Sequence, residues 1–242
     1  MAHYERAPIS EALIDIRIAP SAEVGLDQLA AVGIGEGGYP TRRDAFIFQA
    51  HVTGGQHVSA SAAQQPIGHL FVSSDERQVF QVRLNGFTFS RLAPYESWSQ
   101  LRDEARRLWS NYRKVLASAT VSRVAVRYIN RLDVPFATVE LRDYLNTVPE
   151  VSPGLPHSAL QGYFMQLQIP QPDIEGMLVI NETLVPPLQP NEVSVILDID
   201  LFHDEQHAPT EKEIWSRLEQ FHSRKNEVFE ACITDRTREL IR

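Results

Sequence analysis

The sequence predicts an α+β protein built from two similar halves, each an antiparallel sheet backed by one long helix. Many segments rich in β-branched and aromatic residues alternate apolar and polar side chains with a period of two. Two long segments instead space their apolar residues by three and four positions. The order strand, short helix, antiparallel strands, long helix occurs twice along the 242 residues. We therefore expect halves at 1–119 and 120–242, packed as one unit.

The first half begins with a strand at 12–18, where four apolar residues alternate with Leu13, Asp15 and Arg17. A short helix at 26–32 and a Gly-rich turn at 33–40 follow. The region 45–92 predicts an antiparallel meander, interrupted at Gly54-Gly55, at 74–75 and at Asn85-Gly86. The Asn-Gly pair predicts a hairpin because both residues tolerate positive φ. A helix at 98–119 closes the half, and its aromatic stripe is typical of helix-on-sheet core rather than of a ligand site.

The second half repeats this order, with a strand at 121–132, a short helix at 140–146 and a Pro-rich connection at 149–156. Strands are predicted at 161–169, 177–185 and 193–201. The last helix begins near Glu211, where Thr210 and Glu213 fit a capping box. At a constant offset the two long helices align Trp98-Ser99-Gln100-Leu101 with Trp215-Ser216-Arg217-Leu218, Tyr112 with Phe229, and Leu116 with Ile233. This short match predicts an internal duplication.

Composition indicates an ordinary soluble globular protein, with 43% hydrophobic and 22% charged residues. The net charge of −8 argues against generic binding to nucleic acid or to anionic membranes. Cys232, the single cysteine, excludes an internal disulfide framework. The first residues lack the pattern of a signal peptide, and no run of roughly 20 apolar residues could span a membrane, so we expect neither a secretion signal nor a membrane span. We therefore expect a cytoplasmic protein.

Two stretches resemble the signatures of a known family. They are Ala7-Pro8-Ile9-Ser10-Glu11-Ala12-Leu13-Ile14-Asp15-Ile16-Arg17 and Arg127-Tyr128-Ile129-Asn130-Arg131. The chain resembles a sporadically distributed family of uncharacterised bacterial proteins of about this length. The segment at 228–235 also resembles the family's C-terminal helix. The resemblance implies a bacterial cytoplasmic protein and carries no activity.

The most informative feature is a charged sheet face. Alternation places Arg123, Arg127 and Arg131 on one side of the strand at 121–132. The neighbouring strands are expected to add Glu11, Asp15, Arg17, Asp198 and Asp200 to the same face. Three interpretations remain open. The face can be a solvated surface with cross-strand ion pairs, an anion site, or an interface with a partner or a second copy. In the anion site, Arg127 and Arg131 clamp a carboxylate or phosphate and Asp15, Arg17 or Asp198 assist.

Other candidate motifs favour plain structural roles. His203 and His207 have metal-binding spacing only on a helix, and their acidic segment predicts a loop before Pro209. The residues 33–38 match G-x-G-x-x-G without the strand and helix that a dinucleotide site requires. Cys232 lies on the apolar stripe of the last helix, which predicts a buried and inert thiol. We expect no metal and no cofactor.

These observations support two functional hypotheses. The first is a non-enzymatic binding or adaptor protein that docks a protein partner or a second copy of itself through its sheet. The second is an enzyme or sensor for a small anionic metabolite, with Arg127 and Arg131 as clamps and Asp15 as a general base. No catalytic motif distinguishes them.

Overall fold

The computed structural model describes residues 4–242 apart from 20–23, 34, 36–37, 54–58, 117–118, 136–139, 158–159 and 206–207. The expected turn at Gly54-Gly55, His207 and part of the Gly-rich turn at 33–40 lie outside the described residues.

The described part of the chain contains nine strands and four α-helices. The strands are β1 (Ile9–Ile18), β2 (Thr41–Thr53), β3 (Ser59–Val72), β4 (Gln78–Arg83), β5 (Gly86–Leu92), β6 (Val121–Pro135), β7 (Phe164–Gln171), β8 (Gly176–Val185) and β9 (Glu192–Asp204). The helices are α1 (Leu26–Ala30), α2 (Trp98–Val115), α3 (Glu211–Cys232) and α4 (Asp235–Leu240). The α+β class is therefore confirmed.

All nine strands belong to one antiparallel sheet, in the order β2-β3-β4-β5-β1-β6-β9-β8-β7. The sequence predicts two sheets, but β1 and β6 pair along most of their length and join them. Once paired, the two strands turn apolar side chains to the same, helix-covered side. Ile14 lies opposite Val126, and Ile16 lies opposite Val124.

Helices α2 and α3 cover one face of this sheet, α2 over β5 and β1, and α3 over β6 and β9. Ser97 caps the start of α2 with its side chain, and Thr210 with Glu213 forms the predicted capping box of α3. The stripe of α2 is buried as expected, at Leu101, Ala105, Leu108, Trp109 and Tyr112. Burial of this continuous apolar layer is the main force that holds helices and sheet together.

The hairpin between β4 and β5 forms where the Asn-Gly pair predicts it, but for a different reason. Arg83 pairs with Gly86, so Leu84 and Asn85 make the turn, and neither Asn85 nor Gly86 is among the described residues with positive φ. A Cβ atom on Gly86 would lie 2.9 Å from the carbonyl oxygen of Ile16 on β1. Glycine is needed here for the close approach of a neighbouring strand.

Smaller differences concern element ends. The short helix expected at 140–146 is a 3-10 turn at Leu141–Asp143, and α4 was not predicted. The acidic segment after residue 198 was expected to leave the strand, yet β9 continues to Asp204. None of the helices in the described ranges is long and apolar enough to cross a membrane.

Candidate functional site

The open face of the sheet, opposite α2 and α3, carries the charged residues that the alternation predicts. The β1–β6 and β6–β9 registers place Asp15, Arg127 and Asp198 on this face. Ile14, Val126 and Ile199 point the other way into the core. The predicted side-chain directions are therefore confirmed, whereas the registers do not test ligand binding.

Asp15 belongs to a hydrogen-bonded cluster that does not include Arg127 or Arg131. Its Oδ1 accepts hydrogen bonds from Nη2 of Arg83 at 2.8 Å and from the hydroxyl of Thr88 at 2.6 Å, and Nε of Arg17 donates to Oδ2. Burial raises the pKa of Asp15, but Arg83 and the hydrogen bond from Thr88 outweigh burial and lower it. A carboxylate with three donors and a lowered pKa is a poor general base.

Arg127 and Arg131 hold separate partners. Arg127 donates two hydrogen bonds to Asp198, at 2.8 and 2.7 Å, and Asn181 donates a further one to the same carboxylate. Arg131 donates to Asp133, to the hydroxyl of Ser194 and to a backbone carbonyl. Four residues along a strand separate their Cα atoms by about 13 Å. Each of the two guanidinium groups is thus engaged with partners close to its own position on the sheet.

A concave site lies on the opposite side of the sheet, where sequence analysis placed only core. It is a cavity of about 750 Å³ between the N-terminal segment, the start of α2, the C-terminal half of α3 and the end of β6. Its lining includes residues from both stretches that carry the family resemblance, namely Ala7, Pro8 and Ile9 from the first and Asn130 from the second. The volume falls in the range of small-molecule pockets.

Alternation along β6 sends Tyr128 and Asn130 to the helix-covered side, where Asn130 lines the cavity, while Arg127 and Arg131 face the open side. Asn130 is 2% exposed, and its amide donates to the backbone carbonyl of Leu197 on β9 at 3.0 Å. Tyr128 is fully buried, and its hydroxyl pairs with that of Tyr95 at 3.0 Å. These hydrogen bonds hold Asn130 and Tyr95, which both line the cavity.

Lys225 of α3 lines the cavity and is 6% exposed. Its Nζ lies 3.8 Å from the centroid of the Tyr128 ring. Among the described residues, no hydrogen bond or ion pair engages this amine. Burial lowers the pKa of Lys225 from 10.5 to about 7. Buried charged groups in proteins are normally paired or neutralised. A buried amine without a partner at a cavity wall is therefore typical of a functional site.

His222 and Trp98 form the neighbouring wall. Their rings stack at 4.5 Å with an interplanar angle of 3°, and the indole N–H of Trp98 donates to Glu219 at 2.7 Å. Burial, helped by the charge of Lys225, lowers the pKa of His222 to about 4. The imidazole is therefore neutral near pH 7, and its Nδ1 lies 3.3 Å from the Tyr128 hydroxyl. Tyr95, Tyr128 and His222 make a continuous polar chain beside the amine.

The carboxylates of the cavity lining are already paired. Each accepts a hydrogen bond from an arginine, in the pairs Glu96–Arg91, Glu227–Arg224 and Glu230–Arg238. Glu230 also accepts from the hydroxyl of Tyr4 at 2.7 Å, which holds the N-terminal segment over α3. Within the described lining, Lys225 is thus the ionisable group left without a counter-charge.

One sequence signal could have found this site. The apolar stripe of α3 passes through Leu218, Phe221, Phe229 and Cys232, and Lys225 occupies the matching position between them. A lysine inside such a stripe must reach water, a partner or a cavity. The aromatic stripe of α2 was correctly interpreted as core, except that Trp98 at its start lines the cavity.

The structure also describes Cys232 and His203, two further candidates from the sequence. Cys232 is buried as predicted, and burial raises the pKa of its thiol to about 11. His203 contacts Glu205 at 3.6 Å, and in the described ranges no group of three or more His, Cys, Asp or Glu side chains could hold a metal ion.

No protein-family model and no curated protein matches this chain. Fold and cavity together define an α+β protein with one helix-covered sheet face and a lysine-bearing cavity under the helices.

Proposed function

We propose that this protein binds a small, largely apolar organic molecule in the cavity, with a polar group of that molecule at Lys225. The observation that carries the proposal is the unpaired, buried amine on the wall of a cavity of about 750 Å³. This departs from the site predicted on the open face, where the arginines already hold carboxylates.

The lining indicates the chemistry of the ligand. Tyr4, Ile9, Trp98 and Phe229 supply aromatic and aliphatic surface, which favours a hydrocarbon or aromatic body. Each described glutamate around them already accepts a hydrogen bond from an arginine, which disfavours a cationic ligand. A carboxylate, sulfonate or carbonyl oxygen fits the amine of Lys225, either as an ion pair or as a hydrogen-bond acceptor.

Equilibrium binding of the fluorescent probe anilinonaphthalene sulfonate tests the proposal, because this probe combines an aromatic body with an anionic group. We expect saturable binding that decanoate displaces by competition. The Lys225→Met variant removes the amine while keeping an unbranched side chain, and we expect about tenfold weaker binding, which corresponds to about 1.4 kcal/mol.

Lys212→Met is the matched control, because Lys212 lies exposed on the first turn of the same helix. It should bind the probe as the unmodified protein does. Binding that is non-saturable, or equal in the Lys225→Met variant, would contradict the proposal.

Docking through the open face is a second candidate function, as the sequence predicts. It is supported by the half-buried apolar side chains of Leu13, Ile129 and Ile196 that lie between the ion pairs of that face. A second copy of the chain is the simplest partner. Light scattering tests this, since a dimer requires twice the monomer mass and Ile129→Asp should abolish it.

The internal duplication is also proposed rather than established. The sheet order supports it, because β5-β4-β3 follow outward from β1 as β9-β8-β7 follow outward from β6, and β2 is an additional strand at the edge of the first half. The family resemblance, the cytoplasmic location and the clamp by Arg127 and Arg131 likewise stay predictions.

A further inference from the structure

We propose that Lys225 forms a reversible imine with small aldehydes or ketones that enter the cavity. The inference rests on the proposed function, since the carbonyl compound must first bind in the same cavity. It goes further by assigning a chemical class of ligand and a covalent step to one atom, Nζ of Lys225.

The residue type is the first argument. The chain has twenty arginines and three lysines, and the lysines are Lys114, Lys212 and Lys225. Arginine makes nearly all the cationic contacts of the described residues, on the open face and around the cavity rim. Guanidinium cannot lose its charge in a protein, whereas a buried amine can become neutral and nucleophilic. The cavity therefore holds a group that arginine could not replace chemically.

The environment of the amine is the second argument. Nζ of Lys225 lies over the face of the Tyr128 ring and has no competing carboxylate partner among the described residues. The titratable groups that line the same cavity are Tyr4, Tyr95, His222, Glu96, Glu227 and Glu230. Each glutamate is tied to an arginine, and His222 is neutral near pH 7 because burial lowers its pKa to about 4. Burial is the cause that lowers the pKa of this amine.

The step balances without an oxidant or a further reactant. The nitrogen lone pair of neutral Lys225 attacks the carbonyl carbon, a C–N bond forms, and the C=O π pair moves to oxygen. The two protons of the amine then leave with that oxygen as water, and a C=N bond remains. The Tyr95 hydroxyl lies on the cavity wall at 3.0 Å from that of Tyr128 and provides a polar group for the departing oxygen.

Reductive trapping tests the inference on the unmodified full chain. The protein is incubated at about pH 7 with hexanal and cyanoborohydride, which converts an imine into a stable secondary amine, and labelled peptides are quantified by mass spectrometry. We expect Lys225 to be labelled at least about tenfold more than Lys114 or Lys212, because exposed lysines are almost fully protonated at this pH. Both of these are exposed and serve as internal references.

The Lys225→Arg and Lys225→Met variants should lose this labelled peptide and keep the labelling of the other two lysines. Decanoate should slow the labelling of Lys225 alone, since it competes for the cavity. Equal labelling of the three lysines, or preferential labelling of either reference, would overturn the inference.

The two proposals can fail separately. If anilinonaphthalene sulfonate binds and decanoate displaces it, while Lys225 is not labelled preferentially, the imine is wrong and the binding cavity stands. If Lys225 is labelled preferentially and neither probe occupies the cavity, the amine is reactive and the ligand class assigned under the proposed function is wrong.

Discussion

Replacing Lys225 with methionine should change how the stability of the protein depends on pH. The folded-state pKa of about 7 lies below the ordinary value of 10.5 because burial penalises the charged amine. Between these pH values the unfolded chain binds a proton that the folded chain does not bind. The free energy of unfolding therefore gains a term that rises with pH.

The magnitude follows from the size of the shift. Each pH unit between the two pKa values contributes about 1.4 kcal/mol, so raising the pH from about 7 to about 9 adds about 2–3 kcal/mol to the stability of the unmodified protein. Lys225 is 6% exposed, so solvent screening reduces this little. The Lys225→Met variant lacks the term altogether.

Urea unfolding at several pH values measures the effect as a difference between the two proteins, which cancels the titration of the groups that they share. Between about pH 7 and about pH 9, the free energy of unfolding of the unmodified protein should rise by about 2–3 kcal/mol more than that of Lys225→Met. Lys212→Met, at an exposed position of α3, should show no such trend. A pH-independent difference for Lys225→Met would refute a desolvated amine.

Three further substitutions test other parts of the structure. Glu182 is fully buried on β8, and burial raises its pKa to about 7, so its ionisation destabilises the fold above pH 4.5. As the pH rises from acid to about 8, Glu182→Gln should therefore gain up to about 3 kcal/mol of stability relative to the unmodified protein, as measured by urea unfolding. Gly68→Ala should cost about 1–3 kcal/mol or more, since its Cβ would lie 1.9 Å from the carbonyl oxygen of Val82; thermal melts report this loss. Arg127→Ala should cost about 2–3 kcal/mol because it leaves the buried carboxylate of Asp198 with Asn181 alone, again seen in urea unfolding.

Each of these has a control and a contradicting result. Glu150→Gln removes an exposed carboxylate and should show no pH trend; the same flat profile for Glu182→Gln would contradict a buried acid. Gly162→Ala meets no atom within 4 Å and should be neutral, so equal melting of the two alanine variants would contradict the close strand approach. An unchanged stability of Arg127→Ala would show that its ion pair with Asp198 contributes nothing.

Much of the fold can be predicted from local pattern. Period-two alternation identifies the strands and their buried faces, as at Ile14, Val126 and Ile199, because side chains alternate across any sheet. Three- and four-residue spacing identifies α2 and α3, and the Thr210–Glu213 capping box locates the start of α3 to the residue.

Strand pairing between distant segments cannot be predicted in this way. The alternation of β1 and β6 does not indicate that these strands pair with each other. The sequence therefore predicts two sheets, whereas the structure has one. The same reason separates Asp15 from Arg127: both face the open side, but Asp15 lies opposite Thr88 and Ala125 and pairs with Arg83 on β4.

The cavity was missed because it arises from four segments that are remote in the sequence. Asn130, Lys225 and the N-terminal segment converge only when α3 lies on β6 and the chain start crosses it. In the Arg127-to-Arg131 stretch the arginines face the open side, whereas the alternate residue Asn130 lines the concave site. The lysine inside the apolar stripe of α3 was the signal available.

Nuclear magnetic resonance of protein labelled with ¹³C at lysine tests the central claim most directly, since the chain has only three lysines. We predict that one side-chain resonance titrates with a pKa of about 7, disappears in Lys225→Met and shifts when decanoate is added. Three resonances that all keep the ordinary lysine pKa of about 10.4, and none that responds to decanoate, would contradict a ligand-binding cavity built around this amine.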